Sequence, residues 1–118
     1  LKQVGPVNLV LAHMGGWRQW DQVEELLCDT QVSIDTSYAL GAIAPLDDGY
    51  YRPEDLPLME EDQFMRMVRN FGADRVMFGT DSPWDDQAKA LDRLRRLPLE
   101  PWELEAILGG NAQRLLGL

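Results

Sequence analysis

Three short apolar runs alternate with stretches of helical period, and that alternation limits the chain to a parallel α/β architecture. Asn8-Leu9-Val10-Leu11-Ala12 reads as a first strand, Val32-Ser33-Ile34-Asp35 as a second, and Arg75-Val76-Met77-Phe78-Gly79 as a third. Strands that alternate with amphipathic helices pair in parallel through right-handed crossovers. In such sheets the chemistry gathers at the carboxyl ends of the strands, where diverging loops open a crevice. Two of the three runs lead into a residue that can bind a metal: His13 after the first and Asp81 after the third.

The helices follow from spacing and from their end residues. Trp20, Val23 and Leu27 share one face of a helix over about 17–27, which the turn-prone Asp29-Thr30 separates from the second strand. A long loop from Leu40 to Leu58 carries Gly41, Pro45, Gly49, Pro53 and Pro57. Loops of that length inside a compact domain are usually functional or mobile. A helix over 60–71 buries Phe64, Met67, Val68 and Phe71 and stops at Gly72. Asp85-Asp86 open the next helix, and Arg93, Arg95 and Arg96 close it, both in keeping with the helix dipole. A last helix starts at Pro101 and is expected to break near Gly109-Gly110 before a short tail. Trp20 and Trp102 are expected in the core.

Composition excludes several classes of function. With 11 Lys and Arg against 20 Asp and Glu, the net charge of -9 argues against nucleic acid or an anionic membrane as a general partner. No apolar run approaches the roughly 18 residues that cross a bilayer, and no basic-then-apolar leader opens the chain. The acidic groups Asp47-Asp48, Glu54-Asp55 and Glu60-Glu61-Asp62 read as a solvated loop and helix start. Cys28 is the only cysteine, so no intrachain disulfide forms, and a reducing cytoplasm is the expected compartment. It reads as a small buried residue at a helix end. The expected partner is a small-molecule substrate, and association into a homo-oligomer is left open.

Each candidate residue has a functional and a structural reading. Imidazole is the commonest metal ligand and a general base near neutral pH, and Gly15-Gly16 would let the backbone turn beside it. Equally, His13 would serve as a hydrogen-bonded cap on a strand end. Asp81, in Gly79-Thr80-Asp81-Ser82-Pro83-Trp84, would bind a metal and accept a proton from water, or simply make a turn. For Asp35-Thr36-Ser37, turn chemistry is the simpler account, and orientation of a metal ligand by the hydroxyls is the alternative. Trp17, Tyr38 and Trp84 all follow strand ends, where they would form an apolar substrate wall or pack. The spacing from His13 to Asp81 spans two strand-helix units, as in an eight-fold barrel that spends about 30 residues per unit. Three strands are too few to close a barrel, so the chain is expected to be the carboxyl-terminal part of a larger domain.

These stretches together resemble the carboxyl-terminal portion of the amidohydrolase superfamily, in its amidohydrolase 2 branch. The likeness rests on Leu11-Ala12-His13-Met14-Gly15-Gly16, on Asp35-Thr36-Ser37, on the run from Phe71-Gly72-Ala73-Asp74-Arg75-Val76 to Gly79-Thr80-Asp81-Ser82-Pro83-Trp84, and on Ile107 to Leu116. It implies a (β/α)8 TIM-type barrel with a divalent metal, expected to be zinc, at the carboxyl-end face. The three strands here would be the sixth, seventh and eighth. By that resemblance His13 would be the sixth-strand histidine, a metal ligand or an acid/base that positions water. Asp81 would be the eighth-strand aspartate that binds metal and shuttles protons. The implied activity is metal-dependent hydrolysis, with non-oxidative decarboxylation as the alternative. The family's His-x-His pair and fifth-strand histidine have no counterpart, since His13 is the sole histidine. A non-catalytic α/β binding module is the rival reading from another class.

Overall fold

The computed structural model describes residue 5 and residues 7–43 and 50–118. Its three strands, Val10–Leu11 (β1), Ser33–Asp35 (β2) and Val76–Met77 (β3), form a parallel sheet in the order β1-β2-β3. Val10 lies opposite Ser33, and Ile34 lies opposite Val76. The ladders are shorter than the apolar runs because the chain turns away soon after each strand to build the loops at the carboxyl end. Backbone bonds extend the pairing on both flanks: Ser33 N donates to Leu9 O (2.9 Å), and Thr36 N donates to Met77 O (2.9 Å).

The crossovers are amphipathic helices, as the spacing requires. Helix α1 (Trp20–Leu27) buries Trp20 and Val23, and α2 (Glu61–Phe71) buries Phe64, Met67, Val68 and Phe71. These side chains close over Ile34 and Val76, both fully buried, to make the core. Burying side chains of this kind is worth about 1.5–3 kcal/mol each, which is what holds the helices against so short a sheet. Helix α3 (Gln87–Arg96) is capped by Asp86, whose carboxylate accepts from Lys89 N at 2.9 Å and ends below the usual carboxylate range because of that bond.

The long loop is closed at its base, where Leu40 bridges to Met59 and Ala42 to Pro57, and it carries a 3-10 turn at Pro53–Asp55. Pro45, Asp47, Asp48 and Gly49 lie outside the described residues. Cys28, expected to be buried, is only partly so. It follows the last turn of α1, and its carbonyl accepts from Arg75 Nη2 at 2.7 Å. The same guanidinium donates from Nε to Phe71 O (2.7 Å) and from Nη1 to Val32 O (3.3 Å) and to Thr30 O. One cation thus ties the ends of both crossover helices to the entry of β2, where helix carbonyls favour positive charge.

Two expectations fail at the carboxyl-terminal helix. Trp102 is 60% exposed, because the buried face of α4 (Pro101–Glu105) is taken by Glu103, which pairs with Arg69 and accepts from Glu100 N at 2.8 Å. The helix also does not break at Gly109-Gly110. It widens into a π turn over Ala106–Gly110 and continues as α5 (Asn111–Leu116). The physical reason is a diverted carbonyl. Asn111 N donates to Ala106 O, which frees Ile107 O to accept from Phe78 N at 2.8 Å just past β3. One turn on, the fully buried Asn111 donates from Nδ2 to Ala73 O and Val76 O, both at 2.7 Å.

The helix therefore holds β3 through polar bonds made in the interior. Asn111→Ala leaves the Val76 carbonyl without its side-chain donor and the Ala73 carbonyl with Val76 N alone, and is expected to cost about 2 kcal/mol. A urea titration should show a lower midpoint with an unchanged slope, and an unshifted midpoint would contradict this account of the helix.

Candidate functional site

The loops after the three strands all enter the same crevice, and each turns through a left-handed residue that is not glycine. His13 (φ 58°) follows β1, Tyr38 (φ 48°) follows β2 and Asp81 (φ 56°) follows β3. Met14 and Arg18 share that conformation. Bulky residues adopt it at a cost of order 1–3 kcal/mol each, and such residues cluster at ligand sites. The turn after β1 depends on Gly15 (φ 89°), where an added Cβ would lie 2.6 Å from Val23 Cγ1. His13 is fixed through its backbone as well: Trp20 Nε1 donates to His13 O at 2.9 Å.

Three acceptor atoms of the turn after β2 surround His13. Its backbone N donates to Asp35 Oδ1 at 3.0 Å, and its Nδ1 lies 2.9 Å from Ser37 O and 3.2 Å from Ser37 Oγ. Asp35-Thr36-Ser37 is thus a turn, with Ser37 N donating to Asp35 Oδ1 at 3.0 Å, and it also contacts the imidazole. The simpler reading of this stretch covers only half of what it does. Thr36 faces the other way: its hydroxyl exchanges bonds with Gly79 N and Gly79 O, both at 3.1 Å. A Cβ on Gly79 would press within 3.2 Å of Ser37 Cβ and 3.3 Å of Asp35 Cγ. After β3, Trp84 N donates to Asp81 O at 2.8 Å, and the Ser82-Pro83 bond is cis.

A cavity of about 530 Å³ opens between these loops, within the size range of small-molecule sites. His13, Trp17, Tyr38, Asp81 and Trp84 all line it, so the structure brings these five candidates together, while Asp35, Thr36 and Ser37 lie behind His13 and outside the lining. Ile43, Tyr51 and Pro83 complete the wall. Ile43 and Tyr51 come from the long loop, whose length was a signal but whose path back over the strand ends was not readable. Trp17 stacks on Tyr38 with ring centres 6.4 Å apart, and the Arg18 guanidinium sits 5.1 Å from the Trp17 ring centre. Arg18 also donates from Nη2 to Pro57 O at 3.0 Å and to Asp55 O, pinning the long loop beside the cavity. Burial, followed by the negative fields of Tyr51, Asp85 and Asp81, pushes the Tyr38 phenol above the usual tyrosine range, with Arg18 opposing. The phenol therefore stays neutral and able to donate.

An imidazole nitrogen and a carboxylate are a suitable donor pair for a divalent ion, so the residues fit a metal in kind. They fall short in number. Catalytic zinc takes about three protein ligands. Among the described residues no group of three or more His, Cys, Asp or Glu side chains is placed to hold one.

The amidohydrolase family model matches residues 5–118, and the chain belongs to that family. No curated protein matches the sequence. Among solved structures, an amidohydrolase from Burkholderia multivorans with bound zinc is 25% identical at a TM-score of 0.64, over 94% of this chain and 44% of that one. A putative 2-pyrone-4,6-dicarboxylic acid hydrolase from Pseudomonas putida is 18% identical at 0.63, over 98% and 45%. A dihydroxybenzoic acid decarboxylase from a Polaromonas species, with bound manganese and 2-nitroresorcinol, is 20% identical at 0.59, over 94% and 34%. The chain spans about a third to under a half of the length of these structures. Its three-stranded parallel sheet with covering helices is similar to that part of the amidohydrolase barrels.

The raised phenol of Tyr38 has a sign that can be checked. Folded protein resists its ionisation, so stability is whole below the unfolded tyrosine value of about 10 and is lost as pH rises through it toward the raised folded value. Ultraviolet titration of the three tyrosines should show a late step that disappears in Tyr38→Phe. A late step that persists in the variant would assign it elsewhere.

Proposed function

We propose that His13 and Asp81 form the metal-binding and proton-handling pair of a metal-dependent amidohydrolase-type hydrolase acting on a small molecule. In this reading the chain supplies strands six, seven and eight of a (β/α)8 barrel, and the remaining metal ligands come from the other strands. The observation that carries it is the shared cavity: both side chains line it, and both emerge from the carboxyl-end rim of one parallel sheet.

A divalent ion held there, zinc in our reading, would supply Lewis-acid polarisation and a water made acidic enough to attack at neutral pH. Asp81 takes the proton from the attacking water and passes it to the leaving group. His13 orients that water or donates to the oxygen on which charge develops. Trp17, Tyr38 and Trp84 form the substrate wall, and their ring faces suit a flat substrate.

The aromatic lining also favours a second reading, the non-oxidative decarboxylation of an aromatic acid, with the same pair holding the substrate. Product analysis separates the two, since only the second releases carbon dioxide from its substrate.

Metal analysis of the complete barrel protein, wild type against Asp81→Ala, tests the assignment. Metal content is expected to fall by half or more, and turnover by about a hundredfold or more. Unchanged metal and turnover would remove Asp81 from the site. The 118-residue chain titrated with zinc in a calorimeter is expected to show no tight 1:1 uptake, because two donors do not complete a site.

A further inference from the structure

We infer that Asp35 is a positioning residue that sets the tautomer of His13 by committing the hydroxyl proton of Ser37. The inference deepens the reading above, since a metal ligand or base needs a ring nitrogen that keeps its lone pair.

The argument is one of proton accounting. His13 Nδ1 has two neighbours, Ser37 O at 2.9 Å and Ser37 Oγ at 3.2 Å. A carbonyl oxygen can only accept, so the first contact needs a proton on Nδ1. The hydroxyl alone leaves the choice open, because it can donate to a bare Nδ1 or accept from a protonated one. Asp35 removes that choice. Its Oδ1 lies 2.5 Å from Ser37 Oγ and takes the hydroxyl proton, so the oxygen turned toward the ring has only lone pairs to offer. Both contacts then demand Nδ1-H, and Nε2 carries the lone pair.

The same Oδ1 accepts from His13 N and Ser37 N, both at 3.0 Å, which fixes the carboxylate relative to the ring it controls. Gly79 leaves the space that this cluster occupies, as its close approach to Asp35 and Ser37 shows. Metal-bound histidines commonly gain their orientation from a carboxylate or a backbone carbonyl at the other ring nitrogen. Here the carbonyl makes that contact, and the carboxylate enforces it one bond away.

His13 is the only histidine, so nitrogen NMR of ring-labelled protein reads its tautomer without assignment, at a pH of about 9 where an ordinary imidazole is neutral. Wild type is expected to show the proton on Nδ1. Asp35→Ala frees the Ser37 hydroxyl to donate to Nδ1, and the Nε2-H fraction should rise about tenfold, the scale that one net hydrogen bond controls. Ser37→Ala alone should keep Nδ1-H, since the carbonyl remains. The double variant Asp35→Ala with Ser37→Ala should return the proton to Nδ1, because the competing donor has gone. A role confined to packing predicts that the double variant is no better than Asp35→Ala, and that result would overturn the inference. So would Nε2-H in wild type, which decides the matter even if a variant fails to fold. The readout needs neither metal nor substrate. An Nε2-H result therefore leaves the metal assignment to its own test, and a failed metal assignment leaves the tautomer rule standing.

Discussion

The middle strand carries the structure, because among the described strands it alone pairs with a strand on each side. β2 takes β1 along one edge and β3 along the other, and its last residues continue the same division of labour beyond the ladder. Asp35 and Ser37 reach toward the β1 loop, while Thr36 reaches toward Gly79 on the β3 side. A turn of three polar residues thus sets the relative position of two loops that have no direct backbone pairing with each other.

Elements with a single dominant period were legible from the chain alone. The stripe Phe64, Met67, Val68 and Phe71 is buried as its spacing requires, and Pro101 begins its helix. What escaped was decided by polar contacts between distant segments. Trp102 looks like a core residue until Glu103 is seen to hold the inner face through Arg69, a partner over thirty positions away. Gly109-Gly110 reads as a stop signal, yet the helix passes through it because Phe78 N claims the carbonyl of Ile107. The site followed the same rule. Position after a strand was enough to pick out His13, Tyr38 and Asp81. The contact between Ser37 and His13 depends on strand register, which no local pattern encodes.

The crevice combines strained backbone with apolar walls. Non-glycine residues in the left-handed region stand after every strand, and the surrounding bonds compensate for them: Trp20 on the His13 carbonyl, Asp35 on its amide, Trp84 on the Asp81 carbonyl. Backbone turns held this way keep their shape without help from a ligand. Aromatic rings then share one concave surface with two polar groups.

Arg75 sits at the opposite end of the strands from this crevice, where it gathers carbonyls from Cys28, Thr30, Val32 and Phe71. Fastening the framework at the far rim separates the parts of the chain that keep it folded from those that meet a ligand. Loop residues such as Trp17, Tyr51 or Trp84 can then be exchanged over evolutionary time for others of different shape while the scaffold stays intact. A lineage built on this plan would diversify its chemistry by redecorating one rim and leaving the fastening at the other untouched.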